Sequence, residues 1–338
     1  MLILGWWLPS AEVQVLIGFH LFILLMLALD LGVFQRRAHA VSIREAAVWS
    51  AVWISFALLF AIAIWQFWHV WRPEEANKGP DRCIEFLTGY LIEKSLSVDN
   101  LFVFLVIFRH FAVKPEYQHR VLLWGIVGAL ILRAMLIVLG AALLARFHWM
   151  TYAFGLFLLY TAFKLVRSRE GQVDPGRNRL LSVLRRCLPV VDDHDTPHFW
   201  VRSDGRLFVT PLLVVLLVIE STDVVFALDS IPAIFAVTRD AFIVYTSNVF
   251  AILGLRALFF LLAGLLGLFR YLHLGLAGVL AFIGIKMLVQ DPLRPYLESY
   301  GISNNSLTVC SLAVVACILG VAMVASLAAG PKPERDVQ

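Results

Sequence analysis

The chain has 338 residues, of which 60% are hydrophobic and only 15% charged, with 28 Lys and Arg against 24 Asp and Glu. A soluble domain carries about 25% charged residues, so a water-soluble globule is excluded. The small basic excess is spread over loops between apolar runs, which gives no reason to expect a nucleic-acid partner. The apolar runs are about 20 residues long, enough to cross about 30 Å of hydrocarbon as helix. They lack the alternation, over about 10 residues, of a barrel strand. The expected fold class is an all-α polytopic membrane protein whose main partner is the lipid bilayer.

In chain order, nine spans are predicted, at 12–34, 46–68, 84–108, 121–145, 149–166, 208–237, 241–265, 271–289 and 307–328. No Lys or Arg and no small-residue cleavage site precede the first, so it reads as a permanent span rather than a signal peptide. Nine spans place the termini on opposite sides. Cytoplasmic loops are enriched in Lys and Arg. With the N-terminus outside, the inner segments hold 18 basic residues and the outer segments 6. The expected orientation is therefore a periplasmic N-terminus and a cytoplasmic C-terminus. The loop 167–206, rich in Arg, divides the chain. Its Asp192-Asp193-His194-Asp195…His198 cluster reads as solvated loop rather than a metal site. Many of the ten Trp, Trp65, Trp71 and Trp149 among them, fall at span ends, as an aromatic belt requires. Cys83, Cys187, Cys310 and Cys317 have no metal-ligand spacing.

Two spans carry acids that a bilayer rejects. Span 3 contains Glu93 and Asp99, and span 6 contains Glu220, Asp223 and Asp229. Each charge at the bilayer centre costs about 2.5–3.5 kcal/mol on translocon scales, so five acids imply a polar path or an ion site. Asp30 and His20 in span 1 are weaker candidates, with a local or capping role expected for Asp30.

The acids also reveal an internal repeat. Ser97-Val98-Asp99-Asn100 aligns with Ala227-Leu228-Asp229-Ser230, which sets Glu93 on Asp223. Leu132-Arg133-Ala134 of span 4 matches Leu255-Arg256-Ala257 of span 7, and Lys164 of span 5 matches Lys286 of span 8. Repeat A then covers about 84–166 and repeat B about 208–289, with 12–34, 46–68 and 307–328 peripheral. Units of three spans must have opposite orientations, and inverted repeats are characteristic of secondary transporters with a site near the midplane.

Asp99 and Asp229 each lie ten residues from a basic span edge, or about 15 Å at 1.5 Å per residue, which is the midplane. Glu93 is then displaced outward, and Asp223 and Glu220 inward, so the acids form a ladder. Residues six apart on a regular helix differ by about 120°, so Glu93 and Asp99 cannot face one point without unwinding. Pro232 makes a break in span 6 plausible.

The donors around the ladder are oxygens and amides: Ser95, Ser97, Asn100, Ser221, Thr222, Ser230 and Asn248. Carboxylates with neutral oxygens suit Mg, Ca and Mn, whereas softer ions prefer Cys or His. A hard divalent cation is the first candidate and a proton relay the second. Arg133, Arg256 and Lys94 could pair with the acids, but three bases do not neutralise five, and Arg133 and Arg256 are expected to hold the empty site together.

The string Phe86-Leu-Thr-Gly-Tyr-Leu-Ile-Glu93-Lys-Ser-Leu-Ser-Val-Asp99-Asn100 resembles the TerC family of integral membrane proteins. So does Glu220-Ser-Thr-Asp223-Val-Val-Phe-Ala-Leu-Asp229-Ser-Ile-Pro232. Ser247-Asn248 through Arg256-Ala257 and Asp30-Leu…Arg37…Ser42…Glu45-Ala add to the resemblance, which runs from about residue 15 to 325 as a single membrane domain and is nearest to the Alx-type branch. It implies a bacterial inner-membrane protein that exports manganese, with links to tellurite resistance and alkaline stress. It also implies that Glu93, Asp99, Glu220, Asp223 and Asp229 serve transport. Mn²⁺ is thus expected as substrate, with no resident cofactor. No G-x-x-x-x-G-K-[ST] motif is present, so the drive must come from a gradient, and proton exchange through the same carboxylates would supply it. The alternative is a scaffold in a tellurite- or metal-stress complex, without transport of its own and with the 167–206 loop as docking surface. No nucleophile–base pair suggests an enzyme.

Overall fold

The computed structural model describes residues 11–34, 42–147, 149–167, 196, 198–203, 206–264, 271–299 and 304–329. The Asp192–Asp195 cluster, most of the 167–206 loop and the Asp30 side chain lie outside the described residues. Ten α-helices are described: α1 (Ala11–Phe34), α2 (Ile43–Trp71), α3 (Gly79–His110), α4 (Pro115–Arg146), α5 (Met150–Arg167), α6 (Pro211–Phe235), α7 (Ala241–Leu253), α8 (Leu255–Gly264), α9 (Leu272–Ser299) and α10 (Asn304–Ala329). A short 3₁₀ helix, Pro73–Lys78, links α2 to α3, and a hairpin of β1 (Trp200–Ser203) and β2 (Arg206–Val209) precedes α6. Each of the nine expected spans coincides with a helix, the seventh with the pair α7–α8.

By length and apolarity five helices among the described residues suffice to cross a membrane: α2, α4, α6, α9 and α10. The pair α7–α8, bent by 42°, makes a sixth. That is fewer than the nine spans expected. The 32-residue α3 is longer than a span needs but carries Glu93, Lys94 and Asp99 within it. The helices begin where local chemistry allows. Proline lies in the first turn of α3, α4 and α6, where a missing N–H costs nothing. Ser42 caps α2 by accepting from Glu45 N, and Asp240 caps α7 by accepting from Phe242 N and Ile243 N.

The break expected at Pro232 is not found. The helix α6 runs through Pro232 to Phe235. Pro232 sits three residues from the helix end, where only the carbonyl of Leu228 is denied its usual donor. The break falls at Gly254, between α7 and α8.

Polarity is inverted relative to a soluble protein. Leu58, Leu59, Ile62, Ile131, Met135 and Val138 are exposed, while Glu93, Arg133, Asp223 and Asn248 are buried. Lipid, not water, satisfies such a surface. The helix α3 packs against α2, α6, α7 and α10. In addition α4 packs along α6, and α5 along α9. At one end Phe104, Phe108, Val121, Leu212, Val215 and Phe259 share an apolar cluster, on which Phe199 of the hairpin segment packs. At the other end the bundle opens into a cavity of about 650 Å³.

Candidate functional site

Glu93 projects from the middle of α3 and is fully buried. Arg133, from α4, meets it with Nη1. The same guanidinium forks onto Asp223 of α6, with Nε donating to Oδ2 at 3.2 Å and Nη2 to Oδ1 at 2.8 Å. A planar fork is matched to a carboxylate in this way, and lysine could not reproduce it. One cation therefore bridges Glu93 of α3 and Asp223 of α6. Arg133 thus pairs with two of the five span acids.

Glu220 lies one turn before Asp223 on the same face of α6 and reaches toward α4. Its carboxylate occupies the space that a side chain at Gly128 would fill. Only glycine lets the carboxylate approach α4 so closely. Glu220 Oε2 is buried without a hydrogen-bond partner among the described residues.

The two acids placed at the midplane by spacing are set differently. Asp229 accepts a hydrogen bond from Thr161 of α5 at 3.0 Å and is half-buried. Asp99 is also half-buried. The helix α3 is continuous from Gly79 to His110, so Asp99 points about 120° away from Glu93. Among the described residues no three His, Cys, Asp or Glu side chains converge as a metal cage. The ladder is therefore not a ready-made metal centre in this conformation. It consists of a bridged trio, Glu93–Arg133–Asp223, with Glu220 beside it and Asp99 and Asp229 apart.

Of the neutral donors expected around the acids, Ser95, Ser97, Asn100, Ser230 and Asn248 are buried, as is Arg256, while Ser221 and Thr222 are half-buried. Ser97 Oγ, Ser230 Oγ and both amide atoms of Asn248 have no hydrogen-bond partner among the described residues. Leaving such a group buried and unmet costs about 1–3 kcal/mol. Polar atoms left idle at this cost are what a hydrated path or a transient ion would use.

A second polar cluster, which the sequence reading missed, lines the cavity at the open end. Arg82 donates to Glu75 at 2.9 Å and to Glu85 at 2.8 Å, and Thr238 donates to the same Glu85 oxygen at 2.6 Å. Arg72 donates to Asp240 at 2.6 Å. The Trp68 ring lies 5.3 Å from the Arg72 guanidinium and 5.8 Å from that of Arg82. Hydrogen bonding from Lys78, then from Arg82, holds the Glu75 carboxyl down to about 2. None of the five span acids lines this cavity. The available signal was the short turn Thr238-Arg239-Asp240, whose charges sit too close to a span end to be loop filler.

The chain is 49% identical over 275 residues to an Escherichia coli K12 protein provisionally named membrane-bound redox modulator Alx, covering 81% of this chain and 85% of that one. A Salmonella typhi protein of the same provisional name is 47% identical over 294 residues, 86% and 91% of the two chains. An uncharacterized membrane protein of Myxococcus xanthus is 50% identical over 310 residues, 92% and 91% of the two chains. No solved structure matches. Residues 78–333, which contain all five span acids, match the Integral membrane protein TerC family, and the chain belongs to that family.

Proposed function

We propose that the chain is an inner-membrane exporter of a hard divalent cation, Mn²⁺ in the first place, and that Glu93, Asp99, Glu220, Asp223 and Asp229 carry the ion. The carrying observation is the buried trio Glu93–Arg133–Asp223 with Glu220 beside it. Formally, three carboxylates against one guanidinium leave two negative charges, which one divalent cation balances. Arg133 holds the acids while no ion is present and yields them as the ion arrives. The oxygen donors favour a hard ion. The choice of Mn²⁺ over other hard divalents comes from the family resemblance.

The packing supports two inverted units and nine spans. The second helix of each unit lies along the first helix of the other, α4 on α6 and α7 on α3, while α5 meets α9 and α3 meets α6. Such reciprocity is what a pseudo-two-fold axis produces, and rocking of one unit on the other then gives alternating access. The residues lining the open end come from α3, α4, α5, α6, α7, α9 and α10 and from the turns that follow α2 and α6, at the ends that the basic-residue count places outside. The N-terminus is then periplasmic and the C-terminus cytoplasmic. Glu220 and Asp223 receive the ion from the cytoplasm, and proton exchange through the same acids drives its release. Among the described residues Cys83, Cys310 and Cys317 are free and form no disulfide.

The test is metal uptake by purified protein in liposomes, with Mn²⁺, Mg²⁺, Zn²⁺ and Cd²⁺ compared under imposed pH gradients. Movement of Mn²⁺ that is lost in Asp223→Asn is expected. A protein that moves none of these ions under any gradient would instead support a scaffold.

A further inference from the structure

The break in the seventh span has an occupant. The helix α7 ends at Leu253, α8 begins at Leu255, and the axes diverge by 42°. Carbonyls in the last turn of a helix lose their i+4 donors and need others. One of them, Ala251 O, accepts a hydrogen bond from Lys94 Nζ at 3.3 Å. Lys94 reaches it from α3, and its ammonium lies 2.6 Å from where a Cβ on Gly254 would be. Glycine at 254 is what leaves room for the ammonium. On the other flank Trp53 Cβ is 3.2 Å from the same point. One turn before Ala251, the side-chain amide of Asn248 is buried with neither oxygen nor nitrogen hydrogen-bonded among the described residues.

A lysine near a helix C-terminus is common, since it favours the negative end of the dipole. Two features go further here. The carbonyl end is inside the bundle at a bent span, the kind of place where half-helix carbonyls hold small cations in transporters. An idle amide oxygen also stands one turn away, beyond what the lysine needs. We infer that the carbonyl end of α7 at the Gly254 break is a monovalent-cation site, and that the Lys94 ammonium is its built-in cation. With this ion covalently attached, the bent span keeps its geometry without sodium or another alkali cation from solution. The inference does not depend on which ion the protein moves, because it concerns what holds the break.

The experiment is thermal unfolding of the purified full chain in detergent, with NaCl exchanged for choline chloride at constant ionic strength. Wild type should show no sodium dependence. In Lys94→Gln the emptied site should take sodium. At free sodium roughly five times its Kd, the expected rise in Tm is about 2–4 °C over choline. Lys94→Arg refills the site with a tethered cation and should remain insensitive. Lys94→Ala also removes the ammonium and leaves the space beside Gly254 open, so it should gain the same sodium response; it serves if Lys94→Gln fails to accumulate. A sodium response in wild type equal to that of Lys94→Gln would overturn the inference. So would its absence in Lys94→Gln, or in Lys94→Ala where that variant stands in.

Discussion

Replacing Arg133 by Gln removes the one cation between Glu93 and Asp223. The side chains concerned are almost wholly enclosed, Arg133 at 1% and Glu93 at 0% exposure. Water cannot readily solvate the two carboxylates left behind. Breaking a buried ion pair by removing one partner costs about 3–5 kcal/mol. At about 2–4 °C per kcal/mol for chains of a few hundred residues, the expected fall in Tm is roughly 6–20 °C. The companion variant neutralises the whole trio, as Glu93→Gln, Arg133→Gln and Asp223→Asn together. With no buried charge left uncompensated, it should recover part of the loss, because amides cost less to bury than two bare carboxylates. It should nonetheless move no Mn²⁺ in liposomes, since the ligands are gone. Arg133→Lys should fall between, because an ammonium keeps the charge but cannot fork onto Asp223 while facing Glu93. The assay is thermal unfolding in detergent, followed by metal uptake for every variant that purifies. A Tm for Arg133→Gln within about 2 °C of wild type would refute the buried-bridge argument, since that is about 1 kcal/mol or less. A triple variant no more stable than Arg133→Gln would refute it as well.

Asp99→Asn and Asp229→Asn should each abolish metal transport while leaving protein levels near normal, because an amide keeps size but removes the charge that offsets ion dehydration; normal uptake by both at equal expression would remove them from the path. Glu75 should stabilise the cluster at the open end in a pH-dependent way. Its folded carboxyl is held down to about 2 from an ordinary 4.5, so its contribution is fully present above about 4.5 and is lost as pH falls toward 2. Wild type should therefore be more stable than Glu75→Gln at pH 6, by about 1 kcal/mol for so partly exposed a pair, and the two should converge as the pH approaches 2; a pH-independent difference would contradict this. A cysteine placed in the 167–206 loop, on a Cys187→Ser background, should be shielded from impermeant thiol reagents in intact cells and labelled in opened ones. Labelling from outside would reverse the orientation and the direction of the ladder.

The sequence alone determines where the helices lie, because a bilayer's demand for runs of apolar residues is a local property that each segment satisfies by itself. It also marks Glu93, Asp99, Glu220, Asp223 and Asp229, since an acid in such a run is costly wherever the chain folds. The partner of each acid is not legible, because it depends on which helices meet. Arg133 was one of three cations in reach of five acids by sequence, and only the packing of both α4 and α3 on α6 makes it the bridge of Glu93 and Asp223. Likewise Pro232 was the stronger signal for a break, yet α6 absorbs it near its end. The bend falls at Gly254, a residue with no intrinsic breaking power comparable to proline, where Lys94 and Trp53 press in from neighbouring helices. Local chemistry set the cost of each residue; only long-range packing decided which costs were met, and by whom.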